Sequence, residues 1–163
     1  MDLHFDFYNM FECNNTLQEL PKDYPLFERL QSQFATRLDQ FMLHYQGAAI
    51  NSIWVNFPLG DEHSDVIDRL ISQGMAKGAK RIELIFSDKT KGMDRYNFSF
   101  TLLSNTNSLM YLHLAYSRLK NLRTLVLHLE DFTLDACTIF DLQSFSNFIP
   151  FAASTIIHNF YRS

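Results

Sequence analysis

The sequence predicts an α/β fold with a curved, mainly parallel sheet and helices on its outer side. Apolar residues recur in one short strand-like spacing at four places along the chain. One segment with helical periodicity precedes the first of these places, and another lies between the first and the second. With 163 residues, 47% of them apolar, the chain is long enough for one domain with a sizeable core.

The recurring spacing is apolar-x-x-apolar-x-apolar, which we call the repeat template. It places two apolar side chains on one face of a short strand and a third just upstream, where the chain turns inward. Such blocks are typical of leucine-rich repeats. The four blocks are Ile50-x-x-Ile53-x-Val55, Ala79-x-x-Ile82-x-Leu84, Leu109-x-x-Leu112-x-Leu114 and Leu122-x-x-Leu125-x-Leu127.

The blocks begin 29, 30 and 13 residues apart. The first two intervals fit a strand followed by a returning helix or loop. The third is too short for a parallel crossover, which needs about a dozen residues beyond the strands themselves. Two interpretations are open: a tight connection between Leu114 and Leu122, or a missing segment. The sequence favours the second.

Two helices are predicted around the first block. Apolar residues from Phe27 to Tyr45 fall at steps of three and four, which indicates an amphipathic helix packed on the domain. A free helix for a partner or membrane is the alternative, although its polar face is too acidic for a membrane surface. The second helix begins at Ser64, a plausible N-cap, and ends at Gly78.

The chain divides into three regions. Residues 1–46 hold an N-terminal strand or loop, in which Leu3 and Phe5 alternate with polar residues, and the first helix. Residues 47–130 hold the repeats. Residues 131–163 are predicted to form an atypical C-terminal helix, from Asp131 to Phe148, followed by an apolar tail that is unlike a polar capping unit.

Composition narrows the classes of partner. The formal charge of −4 provides no basic field for nucleic acid or an anionic membrane, so neither is predicted as a partner. Cys13 and Cys137 are far apart and unpatterned, which favours a reduced intracellular protein, cytoplasmic or nuclear. No basic segment precedes an apolar run near Met1, and no apolar run approaches the ~18 residues of a membrane span.

Catalytic and metal-binding motifs are absent from the sequence. The six histidines form no His-x-x-x-His pair, and neither a Cys-x-x-Cys nor a glycine-rich phosphate loop occurs. We therefore predict no metal, no cofactor and no enzymatic activity. The alternative is an enzyme whose catalytic residues form no recognisable motif. His113 and His128 take corresponding places on predicted neighbouring strands, either as a close pair or as separate surface histidines.

The face of the predicted sheet opposite the leucines is the candidate binding surface. Its side chains alternate with the buried ones, because strand side chains have a period of two. The predicted partner-binding residues are Trp54, Asn56, Arg81, Glu83, Tyr111, His113, Thr124 and His128. Trp, Tyr and Arg are enriched in binding hot spots. The alternatives are an ordinary polar face, and a Trp54 that lies beneath the first helix.

Several motifs in order resemble one family. "INSIWVNFPL", "VIDRLISQGMAKGAKRIELIF", "FSFTLLSNTNSLMYLHLAYSRL" and "KNLRTLVLHLEDFT" follow one another between Phe34 and Thr133. This run resembles the leucine-rich-repeat region of plant F-box/LRR proteins, including those with an FBD tail. The resemblance implies a protein-recognition domain that binds the substrate of a ubiquitin ligase and performs no chemistry itself.

The sequence also departs from that family. The helical F-box that docks the Skp adaptor of a cullin ligase is not found. Family members also usually carry a proline-rich or loop segment before the "KNL" motif, whereas here Lys120 directly follows Leu119. We therefore expect the substrate-recognition portion of an F-box-type subunit, shortened, which engages Skp and cullin only if an F-box is supplied elsewhere. The protein target is unknown. A standalone repeat scaffold or decoy, or a non-functional fragment, is the alternative.

Overall fold

Two parallel sheets make up most of the structure. The computed structural model describes residues 1–11, 24–47, 49–86, 94–103, 108–120, 129–139, 155–158 and 161–162. The strands are β1 Asp2–Asp6, β2 Ser52–Asn56, β3 Arg81–Ile85, β4 Asn97–Ser99, β5 Tyr111–Ala115, β6 Arg118–Lys120, β7 Asp131–Asp135, β8 Thr138–Ile139, β9 Thr155–His158 and β10 Tyr161–Arg162. The helices are α1 Phe7–Phe11, α2 Tyr24–His44 and α3 Ser64–Ala76, with 3₁₀ turns at Asp61–His63 and Phe100–Leu103.

The strands are ordered in the sheets as they are in the chain. The larger sheet runs β1-β2-β3-β5-β7-β9 and the smaller one β10-β8-β6-β4. Every strand pair in both sheets is parallel. Each strand of the smaller sheet follows one of the larger sheet along the chain. The predicted α/β class and mainly parallel sheet are therefore confirmed.

The repeat template sets the register of the larger sheet. Its second apolar position forms one row across five strands, and its third forms another; all of these side chains are buried. The rows are Leu3, Ile53, Ile82, Leu112, Phe132 and Phe5, Val55, Leu84, Leu114, Leu134. The first apolar position, just before each strand, is also buried in Ile50, Ala79 and Leu109. These three predicted blocks are strands in the predicted orientation.

The fourth predicted block was placed wrongly. The neighbours of β5 in the larger sheet are β3 and β7, so the next strand of that sheet is Asp131–Asp135 and not the Leu122 block. The template there is Leu129-x-x-Phe132-x-Leu134, which begins 20 residues after Leu109. That interval leaves room for β6, so no missing segment is needed between these strands. The Leu122 to Leu127 block itself lies outside the described residues.

One backbone bond repeats ahead of each strand and supports this register. The amide of Lys80 donates to the carbonyl of Asn51, that of Met110 to Lys80, and that of Glu130 to Met110, each at 2.8 Å. All four residues directly follow the first apolar position of the template. The Leu129 block is thus held in the same way as the three before it.

The two ends of the chain extend the larger sheet beyond the predicted repeats. β1 pairs with β2 over its whole length, so the strand predicted at Leu3 and Phe5 is the first in the sheet. The predicted C-terminal helix is wrong at its start, where residues 131–135 and 138–139 form β7 and β8. Asp131–Asp135 alternates buried and half-buried side chains, a period-two pattern that a strand satisfies and a helix does not.

A left-handed residue turns the chain from the larger sheet to the smaller one. Tyr116 (φ 57°) directly follows β5, and Ala136 (φ 48°) directly follows β7. A buried residue comes next in each case, Ser117 or Cys137, before the short strand begins. The amide of Tyr116 donates to the carbonyl of Asp135 at 2.9 Å, so the hydrogen-bond ladder continues around the corner. Non-glycine residues rarely adopt this conformation, and its repetition marks equivalent corners.

The long helices cover the face that carries the apolar rows. In α2, Phe34 is fully buried and its ring stacks on Phe57 with centroids 4.1 Å apart. In α3, Gly74 approaches so closely that a Cβ there would lie 2.2 Å from Cδ1 of Ile53. Trp54 is thus not beneath α2, because it points to the other face of β2. The predicted amphipathic helix is packed on the domain.

The close approach at Gly74 gives a double-mutant prediction. Gly74→Ala should lower the free energy of unfolding by about 1–3 kcal/mol through overpacking, partly offset by about 1 kcal/mol of helix propensity. Ile53→Val removes the clashing Cδ1 and alone should cost about 0.5–1.5 kcal/mol. The double variant should be clearly more stable than the two losses added together. Chemical denaturation measures all three, and simple additivity would contradict the contact.

Candidate functional site

The face of the larger sheet away from the helices, which we call the open face, presents the side chains that alternate with the apolar rows. Its central row runs His4, Trp54, Glu83, His113 and Thr133 across β1, β2, β3, β5 and β7. All but His4, which is exposed, are half-buried. Parallel pairing in register brings these residues side by side, although they are up to 129 positions apart in sequence.

A pocket of about 700 Å³ lies on this face, over the first halves of β1, β2, β3 and β5. It combines two carboxylates, two cations, two aromatic rings and a histidine. The lining residues are Asp2, His4, Asn51, Ser52, Trp54, Lys80, Arg81, Glu83, Met110 and Tyr111. A volume of this size accommodates a small molecule or a few side chains of a bound chain.

Asp2 and Trp54 form the β1–β2 side of the pocket. The side chains of Ser52 and Asn51 donate hydrogen bonds to Oδ1 of Asp2 at 2.7 and 2.9 Å. These bonds, that from Ser52 foremost, hold the pKa of Asp2 below its usual value. The carboxylate therefore stays ionised and fixed in place, since both donors favour the charged form. The ring of His4 lies beside that of Trp54, with centroids 5.5 Å apart.

Arg81 organises the β3–β5 side of the pocket. Its guanidinium carbon lies 4.7 Å from the centre of the Tyr111 ring, and its Nη1 lies 3.5 Å from Oε1 of Glu83. The other oxygen of Glu83 lies 3.7 Å from Nδ1 of His113. Arg81 is thus placed between an aromatic face and a carboxylate. Exposed pairs of this kind contribute little stability but fix the orientation of the side chains.

Tyr111 is held from its far end by Glu130. Its hydroxyl donates to Oε2 of Glu130 at 2.6 Å, and this bond raises the pKa of Tyr111. The phenol therefore stays protonated and its ring stays aligned under Arg81. A rigid aromatic side chain loses little conformational entropy when a partner binds, which favours its use as a contact residue.

The structure brings together part of the predicted site. Trp54, Arg81, Glu83 and Tyr111 line the pocket, and His113 lies beside Glu83. Asn56 is exposed at the far end of β2 and does not line the pocket. Thr124 and His128 lie outside the described residues. The proposed neighbour of His113 was wrong, because Thr133 occupies the adjacent position on β7.

Sequence reasoning missed more than half of the pocket. The lining residues outside the predicted partner-binding set are Asp2, His4, Asn51, Ser52, Lys80 and Met110. Asp2 and His4 could have been found from the alternation of Leu3 and Phe5, had that strand been joined to the repeats. Asn51, Lys80 and Met110 all follow the first apolar position of the template, where the template predicts only a turn of the chain.

The described residues contain no group of three or more His, Cys, Asp and Glu side chains placed to hold a metal ion. Among the helices of the described part of the chain, none has the length and apolar character needed to traverse a bilayer. The arrangement on the open face offers charged, aromatic and hydrogen-bonding groups to a bound molecule.

Comparisons with known proteins gave no match. No family model matches the chain, and neither the curated proteins nor the solved structures include a significant relative.

Proposed function

We propose that the chain is a recognition module that binds a protein partner on the open face of its larger sheet. The observation that carries this proposal is that α2 and α3 cover one face of the sheet while the other presents the pocket. Trp54 and Tyr111 are half-buried there rather than packed in the core. Partly exposed aromatic and arginine side chains in a polar surround are typical of binding hot spots.

The repeat organisation supports a leucine-rich-repeat-like domain with a curved sheet. Template blocks that begin at Ile50, Ala79, Leu109 and Leu129 add strands in chain order, as stacked repeats do. In such arrays each unit contributes one strand to a continuous surface, so that side chains of different repeats act together. The pocket draws on four strands, which fits this mode of recognition.

At a finer level, we propose that the recognised partner is the substrate of an F-box-type ubiquitin ligase. The ordered motifs between Phe34 and Thr133 and their resemblance to plant F-box/LRR proteins support this. The chain would then work in the cytoplasm or nucleus, where such ligases act. Skp and cullin would join only through an F-box supplied elsewhere. A standalone scaffold or decoy that binds through the same face is the second candidate.

Partner capture tests the role of the open face. Trp54→Ala and Tyr111→Ala should each weaken capture of a specific partner at least about tenfold, the scale expected of hot-spot residues. Leu43→Ala is a suitable control, because Leu43 is exposed on α2, away from the open face. Capture can be measured by quantitative mass spectrometry of crosslinked partners. Equal capture by all three variants would refute the assignment of the open face.

A second measurement separates the ligase proposal from the scaffold. Purified Skp adaptor should not bind residues 1–163 directly, because the sequence shows no F-box. If a captured partner becomes ubiquitinated only when the chain is fused to an F-box, the ligase proposal is supported. A partner that binds the open face and is never ubiquitinated, fused or not, would favour the scaffold.

A further inference from the structure

The pocket contains one occupied cation site. Arg81 lies over the Tyr111 ring at 4.7 Å while its guanidinium reaches Glu83 at 3.5 Å. An aromatic face and a carboxylate thus hold a guanidinium between them. Both groups favour a cation, the ring through its quadrupole and the carboxylate through its charge.

The same two kinds of group, an aromatic ring and a carboxylate, stand on the other side of the pocket, where the N-terminal ammonium is a cation that acts on Asp2. Trp54 is the residue type that binds cations most strongly through its ring. Asp2 accepts both of its hydrogen bonds on Oδ1, so Oδ2 takes no part in them. Within the described residues no arginine or lysine lies over the Trp54 ring, whereas Phe11, Tyr45, Tyr111 and Tyr116 each carry one.

The charge around the pocket favours a basic ligand. Along the open face and the positions just before its strands, six carboxylates stand against three cations in the described residues. The carboxylates are Asp2, Asp6, Glu83, Glu130, Asp131 and Asp135, and the cations are the N-terminal ammonium of Met1, Lys80 and Arg81. Arg81 is already paired with Glu83, so the field that a ligand meets is negative. Such complementarity raises both the rate and the specificity of association.

We propose that the Trp54–Asp2 side of the pocket binds an arginine side chain of the partner polypeptide, with the guanidinium on the indole and paired with the carboxylate. This inference rests on the proposed recognition function and names the chemistry of the partner. Arginine is favoured over lysine because its planar head stacks on an indole while it donates to a carboxylate in the same plane. The partner segment would lie across β1 and β2 and present its basic side chain to the pocket.

A peptide titration tests this directly. Trp54 is the single tryptophan of the chain, so fluorescence excited selectively in tryptophan, and not in the seven tyrosines, reports from the proposed site. The probe is a blocked octapeptide of alternating glycine and arginine, and its control replaces each arginine with citrulline, which has the same shape and no charge. We expect a saturable fluorescence change with the arginine peptide only, weakened by added salt.

Variants locate the binding site. Asp2→Asn should weaken the arginine peptide at least about fivefold, while its amide oxygen still accepts the bonds from Ser52 and Asn51. Asp65→Asn makes the same change at an exposed carboxylate in the first turn of α3 and should leave the affinity unchanged. Trp54→Ala, followed by calorimetry, should abolish binding. Circular dichroism checks that each variant keeps the fold.

The outcomes separate this inference from the recognition function itself. Equal responses to arginine and citrulline peptides, or equal weakening by Asp2→Asn and Asp65→Asn, would overturn the arginine site. If a partner is still captured through Trp54 and Tyr111, the recognition function stands without it. Loss of both the peptide response and the partner capture would remove both proposals.

Discussion

Replacement of Phe132 by alanine is expected to lower the free energy of unfolding by about 3–5 kcal/mol, the range for large aromatic-to-alanine changes in well-packed cores. Phe132 is fully buried in β7, in the row that includes Leu112. Its ring meets Phe100 edge to face, with centroids 6.2 Å apart. Phe100 continues a series of edge contacts through Phe98 and Tyr96 to Phe86. The cavity would therefore open where both sheets meet the core.

The neighbouring residue provides the control for Phe132→Ala. Thr133 is half-buried on the open face, and Thr133→Ala should change the free energy of unfolding by no more than about 0.5 kcal/mol. Urea denaturation monitored by circular dichroism measures both variants. A shift of β7 by one residue would exchange the two faces and reverse the ranking. A small effect of Phe132→Ala would thus contradict the placement of the Leu129 block.

The stability of the protein should also fall steeply in alkali, by about 3–4 kcal/mol between pH 8 and pH 11. Tyr96 is fully buried and donates to Oδ1 of Asp68 at 2.5 Å. Burial, helped by this bond, raises the pKa of Tyr96 far above its ordinary value of 10.0. Burial likewise raises the pKa of the Cys137 thiol from 9.0 to about 11. Both groups stay protonated in the folded chain at a pH where the unfolded chain ionises.

The direction of the effect follows from this difference. The stabilisation is complete below the unfolded pKa values, and it is lost as pH rises above about 9 for Cys137 and about 10 for Tyr96. Each pH unit of difference corresponds to about 1.4 kcal/mol for each group. The loss for Cys137 levels off once its folded thiol also ionises.

Two variants isolate these groups from the other residues that titrate in alkali. In the double variant Tyr96→Phe/Cys137→Ala, the free energy of unfolding should decline much less between pH 9 and pH 11, although its value at pH 7 is lower. Tyr8→Phe removes an exposed phenol and should keep the slope of the unmodified chain. Urea denaturation at a series of pH values gives the slopes. Parallel slopes for the double variant and the unmodified chain would contradict the assignment.

Local patterns in the sequence were enough for three of the strands. The blocks at Ile50, Ala79 and Leu109 carry their apolar residues in a strict order, and burial of one face specifies the register of each strand. The end of α3 was also readable, because Gly78, two residues beyond Ala76, adopts the left-handed conformation (φ 82°) that glycine tolerates best. In each case the signal lies within a few residues of the element that it specifies.

The fourth repeat and the pocket could not be read in this way. The Leu122 block fits the template at least as well as Leu129-x-x-Phe132-x-Leu134, so local spacing alone does not rank them. Which of the two blocks pairs with β5 depends on the two-residue corner after β5 and on β6. Both lie within the 20 residues that separate the Leu109 block from the Leu129 block. Two-residue corners have weak sequence signals when Tyr116 and Ala136 take the place of glycine.

The sequence by itself determined the α/β class, the parallel pairing of repeated strands and the alternation that separates buried leucines from the open face. These features follow from interactions between residues close in sequence. Burial of one face of a strand requires apolar side chains at every second residue, and that spacing is visible in the chain. Only the tertiary structure decided which block pairs beside the Leu109 block, and that Asp2 and His4 share a pocket with Trp54. Strand pairing brings together residues some 50 positions apart, and no local pattern encodes which side chains will share a pocket.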